Sequence, residues 1–382
     1  MNGRKWDIAV AGGGLSGGMI ALALARHRPD MDVVLIEQER RLGGGNSWFW
    51  FPGDLPREGA ELLSGLRKTE WDRGCWLRFP AGQRKLSTAC AMLVPADFEA
   101  GLRRSLPAEA ILTGRTIAAL AADGVALDDG TQIAARTVID CRGFVPSAHL
   151  IGGWRASLSR NLQTAKPHGM TAPVIMDGSI DEDGQFRFAR ILPLGLDHLL
   201  VEENRYVHLP MLDRAALSRR IDSCCASHGI DGTILGSTSG IRPILTGGDF
   251  AACQAEHRIE GVAVAGTRAL LVHPLTGESL PHAVDMALAI AADADLAGTQ
   301  LAALTEARAR RHWRRTGFYR RRARILLGAA SPQQQQRLFE SLYGLPQPLI
   351  ERFHAARSTA LDRARIASGG SLARLAGKGG RG

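Results

Sequence analysis

A glycine-rich turn near the amino terminus narrows the possible folds of this 382-residue chain more than any other segment. A short apolar run over residues 6–11 predicts a buried strand, and Gly12, Gly14 and Gly17 follow it in G-x-G-x-x-G spacing. Residues 15–25 are small and apolar, which is typical of a helix packed closely on a strand. This order of strand, tight turn and helix predicts the first unit of a parallel, Rossmann-like sheet.

An acidic residue at the expected distance makes the turn a candidate dinucleotide site. A second apolar run, residues 33–36, ends in Glu37, which lies 20 residues after Gly17 and can accept a hydrogen bond from a ribose hydroxyl. The helix amino terminus would then face a pyrophosphate. Two alternatives are a close-packed glycine turn without a ligand and a G-x-S-x-G nucleophile elbow at residues 14–18. The elbow leaves Glu37 unexplained.

Later segments predict that the chain leaves this sheet and rejoins it. Residues 137–143 and 262–266 each indicate a buried strand that ends in glycine, and residues 150–255 hold shorter alternating segments between them. After Gly266, a loop at 273–280 leads into a predicted helix at 281–295, with Ser279 as its expected N-cap. A second helix amino terminus would thus point at the cofactor.

The basic character of the chain is confined to its carboxyl-terminal part. Residues 301–382 contain 17 Lys and Arg against 4 Asp and Glu, a net charge of +13, so the first 300 residues together carry −4. Nine arginines at 308–324 are interleaved with Trp313, Phe318 and Tyr319. On a helix this predicts a basic surface for anionic lipid headgroups, although nucleic-acid phosphates or plain solvation would suit it as well.

Neither export, membrane insertion nor metal binding is predicted. The apolar run at the amino terminus is too short for a signal peptide, and the longest uncharged stretch, residues 8–25, is interrupted by five glycines. Six cysteines without a C-x-x-C pair indicate free thiols in a reducing compartment, and the histidines are not spaced as metal ligands.

Beyond these local patterns, the chain resembles bacterial lycopene beta-cyclases in nine segments that occur in order over almost its whole length. The segments are AGGGLSGGMIALAL (11–24), GGGNSW (43–48), VIDCRG (138–143), PHGMTAPVIMD (167–177), FRFARILPL (186–194), LLVEENRY (199–206), HPLTGESLPHAV (273–284), RRTGFYRRRARILLGAA (314–330) and LYGLPQPLIERF (342–353). The resemblance implies a flavoprotein that closes both acyclic ends of lycopene to give beta-carotene. It also implies FAD in its reduced form, with NAD(P)H as an indirect reductant and no net electron transfer.

The resemblance assigns roles to particular residues. Glu202 matches the essential carboxylate of the family and receives the acid/base role, with Glu203 beside it. On a strand, adjacent side chains face opposite sides, so we expect only one of the two to enter the pocket. An acid near neutral pH needs a raised pKa, and the apolar residues 199–201 are expected to provide that environment. Expected cofactor contacts are Gly12, Gly14, Gly17, Glu37, Gly266, Pro274, Thr276 and Gly277.

This chain departs from the family pattern at several positions near the expected flavin. The family usually has Tyr at the position of Glu278 and a second Thr at that of Leu275. The usual His-Thr pair is replaced by Asn46 and Ser47, and the segment 236–242 lacks the acidic residues that commonly precede its glycine.

We therefore predict an α/β protein with a Rossmann-like FAD-binding domain, an inserted mixed β-sheet substrate domain and a helical carboxyl-terminal region. Its expected partners are lycopene, peripheral membrane lipids at the inner face of the cell membrane and other enzymes of the carotenoid pathway, but no nucleic acid. The alternative enzyme is a flavin monooxygenase or dehydrogenase acting on an apolar substrate. The expected boundaries are 1–150 and 256–300 for the FAD-binding domain, 151–255 for the substrate domain, 301–367 for a basic helical membrane-associating region and 368–382 for a disordered tail.

Overall fold

The computed structural model describes residues 5–180, 184–328 and 330–368. These ranges contain seventeen strands: β1 Trp6–Ala11, β2 Val33–Glu37, β3 Trp48–Trp50, β4 Thr69–Trp71, β5 Cys75–Phe79, β6 Gly82–Leu86, β7 Cys90–Leu93, β8 Ile111–Thr113, β9 Ile117–Ala121, β10 Gly124–Leu127, β11 Gln132–Asp140, β12 Leu150–Thr164, β13 Val174–Ile180, β14 Phe186–Pro193, β15 His198–Val207, β16 Gly232–Gly248 and β17 Val262–Val264.

Eleven α-helices lie in the same described ranges: α1 Leu15–His27, α2 Arg57–Ser64, α3 Pro95–Ser105, α4 Arg214–Ser227, α5 Phe250–Glu256, α6 Leu280–Ala292, α7 Gly298–Arg315, α8 Gly317–Leu327, α9 Pro332–Tyr343, α10 Gln347–His354 and α11 Ala360–Ala367. Short 3₁₀ helices occur at Pro52–Asp54, Ala108–Ala110 and Gly266–Ala269.

The first sheet is a Rossmann-like parallel sheet, as the glycine turn predicts. Its strands run β8-β2-β1-β11 in parallel, β17 joins β11 in parallel, and β10 and β9 extend the sheet in antiparallel fashion. Alternate residues of β1 bury opposite faces: Ile8 and Val10 pack on the side of α1 and α6, and Ala9 and Ala11 pack on the side of the β9–β10 hairpin. Both faces are buried, which explains the almost continuous apolar composition of β1.

The second sheet is a seven-stranded mixed sheet within the described residues, in the order β16-β12-β15-β14-β13-β5-β6. Its pairings are antiparallel except for β13 with β5. Strands β5 and β6 come from within the first 150 residues, so the second sheet is not one continuous insertion at 151–255 as expected. Leu77 and Leu86 bury their side chains in the same core as β14, which explains why this hairpin pairs here. The division into domains otherwise stays a prediction.

The carboxyl-terminal region is helical, as predicted, but it packs as part of the core. The arginine-rich segment is two helices rather than one, because Thr316 ends α7 and donates its hydroxyl to the carbonyl of His312 at 2.8 Å. Phe318 and Tyr319 are buried, and Tyr319 packs against Phe353, so neither ring belongs to the basic surface. No helix among the described residues combines the length and hydropathy that a membrane crossing requires. Of the predicted tail at 368–382, residues 369–382 lie outside the described residues.

Candidate active site

The three motif glycines have three different surroundings. Gly12 has a φ of +104°, and a Cβ there would lie 2.6 Å from the carbonyl oxygen of Cys141. A Cβ on Gly17 would lie 1.9 Å from the carbonyl oxygen of Gly12. A Cβ on Gly14 would meet no atom within 4 Å. Gly12 and Gly17 are therefore required by the turn itself, whereas Gly14 keeps a space open at the amino terminus of α1.

That space belongs to a cavity of about 650 Å³ at the carboxyl ends of β1, β2 and β11. Gly12, Gly14 and Glu37 line it, and Arg115 and Arg142 bring positive charge to it. Glu37 is fixed by two backbone donors, because Oε2 accepts from the Gly13 amide at 2.6 Å and Oε1 from the Glu39 amide at 2.9 Å. An open glycine, a helix amino terminus and cationic walls fit the adenosine diphosphate part of FAD.

The returning strand β17 reaches the same edge of the sheet. Gly266 follows it with a φ of +68°, and a Cβ there would lie 2.4 Å from Oγ of Ser16 on α1. Asp140 at the end of β11 accepts from Arg142 at 2.9 Å and pairs with Arg268 at 2.7 Å. The turn after β17 thus contacts both α1 and the end of β11 beside the glycine turn.

Pro274, Thr276 and Gly277 lie together in a buried loop that faces a second cavity. The loop is held by His273, whose Nδ1 accepts from the amides of Leu275 and Thr276 at 3.3 and 3.2 Å. Its Nε2 donates to the carbonyl of Phe353 at 3.0 Å. Burial lowers the pKa of His273 to about 3, so the ring stays neutral and serves as a connector. Ser279 is the N-cap residue of α6, as predicted, but its side chain makes no capping hydrogen bond.

The second cavity has a volume of about 570 Å³ and lies between the second sheet, the loop before α6 and the carboxyl-terminal helices. Its walls are aromatic and aliphatic for the most part, and a few charged groups interrupt them. The aromatic residues are Phe49, Phe51, Phe188, Phe339, Tyr206, Tyr343 and the ring of His354; the charged ones are Asp54, Arg155, Arg190 and Glu278.

Three arginines converge on one oxygen of Glu278. Its Oε1 lies 3.0 Å from Arg155, 3.3 Å from Arg190 and 3.1 Å from Arg242. Arg155 and Arg242 stand directly opposite each other on β12 and β16, an arrangement of like charges that costs stability without an anion between them. Among the described residues, Oε2 of Glu278 is buried without a hydrogen-bond partner. Glu278, where the family usually has Tyr, therefore anchors this cluster.

Glu202 and Glu203 lie on opposite faces of β15, as strand geometry predicts. Glu202 is on the face of Tyr206, which lines the cavity. Its oxygens accept from Ser159 at 3.0 Å and from the Asn204 amide at 2.9 Å, and Arg190 lies 3.7 Å away. The prediction that apolar residues surround the carboxylate of Glu202 is therefore wrong. Both glutamates lie within the strand, since β15 continues to Val207.

Glu203 faces α4 instead of the cavity. Its side chain is fully buried, and Oε2 accepts from Arg187 at 3.1 Å. Burial raises the pKa of Glu203 to about 7, and Arg187 opposes this effect. Of the two adjacent carboxylates, only Glu202 is on the side of the cavity.

Several residues of this cavity were not found from the sequence. Arg190 stands among apolar residues of β14, and a charge in such a strand is a signal of a buried partner. Strands β12 and β16 contain many polar residues, so Arg155 and Arg242 carry no such signal. Asp54 lies in a turn and carries no such signal. Its place in the cavity depends on contacts between distant segments.

Comparisons with known proteins agree with the resemblance seen in the sequence. Residues 7–373 match the lycopene cyclase protein family. A lycopene beta-cyclase from Pseudescherichia vulneris is 34% identical over 95% of this chain and 93% of its own length. One from Pantoea ananas is 33% identical over 95% of this chain and 94% of its own length.

Solved structures with lower identity share the fold. A geranylgeranyl bacteriochlorophyll reductase-like protein from Thermoplasma acidophilum has a TM-score of 0.63 at 14% identity, with 98% of both chains covered. A flavin-dependent halogenase from Xanthomonas campestris has a TM-score of 0.57 at 11% identity, covering 98% of this chain and 95% of its own. The predicted α/β fold class is confirmed. With a family match across nearly all of its length, this chain belongs to the lycopene cyclase family.

Proposed function

We propose that the protein is an FAD-dependent lycopene beta-cyclase, an intramolecular lyase or isomerase that forms beta-ionone rings from the psi-end groups of lycopene. One observation carries the proposal: the chain is 34% identical over 95% of its length to a lycopene beta-cyclase. Its aromatic-walled cavity, bordered by buried carboxylates, agrees with it. Apolar walls suit a hydrocarbon, and charged groups in a dry cavity act strongly on a cation.

The reaction adds a proton to the terminal double bond, closes the ring by attack of the neighbouring double bond and removes a different proton. No electrons are gained or lost overall. We assign the acid/base role to Glu202, which is buried on the cavity side of β15 beside Arg190. An anion about 5 Å from the developing cation stabilises it by ~3 kcal/mol at an effective dielectric constant of ~20. That corresponds to roughly two decades in rate.

The residues that would hold FAD are the glycine turn with Glu37, the turn at Gly266 and the loop with Pro274, Thr276 and Gly277. The 650 Å³ cavity beside Gly14 supports this assignment. Reduced FAD, when bound, supplies electron density and negative charge beside a cationic intermediate. NAD(P)H would serve only to keep it reduced.

We further propose that the protein works as a peripheral enzyme on the inner face of the cell membrane, where lycopene dissolves. Exposed arginines of α7 and α8, including Arg311, Arg314 and Arg321, support binding to anionic lipids. Association with other enzymes of the carotenoid pathway would pass the hydrocarbon on without contact with water.

Expression in a lycopene-accumulating bacterium tests the proposed activity directly. We expect the pigment to shift from red to orange-yellow, with beta-carotene as the product of unchanged mass. Glu202→Gln should abolish the shift, and more than a tenth of wild-type cyclisation in this variant would contradict the role of Glu202. Glu203→Gln, on the opposite face of the same strand, is the matched control.

A second measurement separates the cyclase from a flavin monooxygenase or dehydrogenase. Purified protein should cyclise lycopene without dioxygen when FAD is kept reduced. Consumption of one nicotinamide and one dioxygen per product would instead favour the monooxygenase.

A further inference from the structure

Asp54 places a carboxyl group with a free oxygen at the 570 Å³ cavity. It is the last residue of the 3₁₀ helix Pro52–Asp54 and is 4% exposed. Oδ2 accepts from the amide of Phe51 at 2.9 Å. Oδ1 is buried and, within the described part of the chain, has no hydrogen-bond partner. A buried carboxyl oxygen without a partner favours the protonated form, in which this oxygen carries the proton.

The other carboxylates near the cavity are surrounded very differently. Glu278 faces three guanidinium groups, and Glu202 accepts from Ser159 and Asn204 beside Arg190. Asp54 instead has no arginine partner among the described residues: Oδ2 accepts from the Phe51 amide, and Oδ1 has no hydrogen-bond partner there. Two carboxyl groups in such unequal environments are the arrangement by which active sites separate an acid from a base.

Burial raises the pKa of Asp54 to about 7. The hydrogen bond from the Phe51 amide and the charge of Arg357 oppose the shift, whereas Glu351 of α10 and Glu278 add to it. Arg155 and Arg190 also line the cavity. His354 also borders the cavity, and burial lowers its pKa to about 4, so this ring is neutral near pH 7. Asp54 is therefore a neutral acid through much of the range below pH 7.

We propose that Asp54 is a further catalytic residue, the proton donor of the cyclisation, and that Glu202 is the corresponding proton acceptor. This inference rests on the proposed function. The O–H bond of Asp54 breaks as a C–H bond forms at the terminal double bond, and the neighbouring double bond supplies the electron pair of the new ring bond. A ring C–H then breaks, its electrons form the ring alkene, and its proton passes to the carboxylate of Glu202.

The resting state is restored by water. Asp54 regains a proton and Glu202 loses one, so no net acid or base is consumed. Pro52 and Gly53 of the same turn are exposed, which leaves Asp54 just beneath the surface and gives it a short route to solvent. A donor needs such a route after every turnover.

The test compares Asp54→Asn with Asp285→Asn in the FAD-loaded protein. Asn keeps an acceptor for the Phe51 amide but carries no acidic proton. Asp285 on α6 is also partly buried with a raised pKa, yet it lies outside the cavity. We expect Asp54→Asn to cyclise lycopene at least 100-fold more slowly at unchanged FAD content, and Asp285→Asn to match the wild type. An Asp54→Asn rate within tenfold of the wild type would overturn the inference.

A pH profile adds a readout that a purely structural role would not change. The wild-type rate should fall tenfold per pH unit above about pH 7, as the donor loses its proton. Asp54→Glu should fold and keep measurable activity, with this limb at a different pH; an unmoved limb would overturn the inference even if Asp54→Asn fails to fold. A folded, FAD-loaded wild type without cyclisation would defeat the proposed function itself, whereas an active wild type with an active Asp54→Asn would defeat only the role of Asp54.

Discussion

The glycine turn and the aromatic-walled cavity are built in opposite ways. The turn is made largely by residues 6–37: Gly17 lies against the carbonyl of Gly12, Gly14 faces open space, and Gly12 alone of the three lies against a distant residue, Cys141 at the end of β11. The cavity takes its walls from β12, β13, β14, β15, the turn at 52–54, the loop before α6 and the helices α9 and α10. A local motif therefore predicts where a dinucleotide would bind, whereas the charged groups of the cavity meet only after the whole chain has folded.

The largest effect should come from Gly17→Ala. The new Cβ would lie 1.9 Å from a backbone oxygen, which cannot move without opening the turn. We expect a loss of about 4 kcal/mol or more in the free energy of unfolding, measured by urea denaturation. Flavin should be lost with it.

Gly14→Ala sharpens this result, because its Cβ would enter open space and its φ of −69° suits any residue. The free energy of unfolding of the variant should lie within ~1 kcal/mol of that of the wild type, and yet the variant should retain little FAD after purification. Full flavin content in Gly14→Ala would mean that the open space is not the cofactor site.

In the cavity, Glu278→Gln should have the next largest effect. It leaves three guanidinium groups converging on a neutral amide, and removal of one partner from a buried ionic cluster typically costs about 3–5 kcal/mol. Glu61→Gln is the control, since its pair with Arg57 is largely exposed and worth ~0.5 kcal/mol or less. Equal urea midpoints for the two variants would show that the arginine cluster does not depend on Glu278.

These contrasts explain what the sequence could predict. Strands β1 and β2 and helix α1 are confirmed, because apolar periodicity and glycine spacing act over a few residues. The binding roles of Gly12, Gly14, Gly17 and Glu37 stay predictions. The Arg155–Arg242 pairing across β12 and β16 joins residues 87 positions apart, and no local pattern reports such a contact. The resemblance to a family supplied Glu202 but not Asp54.

The two adjacent glutamates of β15 offer a test by pH. The pKa of Glu203 is raised to about 7, so the folded protein holds a proton there that the unfolded chain releases above its ordinary value near 4.5. The resulting stability is fully present below about pH 4.5 and is lost as the pH rises through about 7, on the order of 3 kcal/mol in total. Urea denaturation between pH 4.5 and 8 should show this decline, and Glu203→Gln should flatten it. An unchanged decline in Glu203→Gln would assign it to other groups, Asp54 foremost.

The smallest effect concerns the arginine-rich segment, which combines buried residues placed by long-range contacts with exposed residues that the local sequence predicts. Its inward residues, such as Tyr319, are core contacts that composition alone misplaced, whereas Arg314 is exposed on α7 as composition suggests. If the outward residues bind lipid, Arg314→Ser should weaken binding to phosphatidylglycerol vesicles about fivefold at low salt, which is ~1 kcal/mol. Arg214→Ser, an exposed arginine on α4, is the matched control for lost charge. Equal losses of vesicle binding in the two variants would mean that net charge, and not this surface, governs the binding. The basic composition of α7 and α8 would then serve solubility alone.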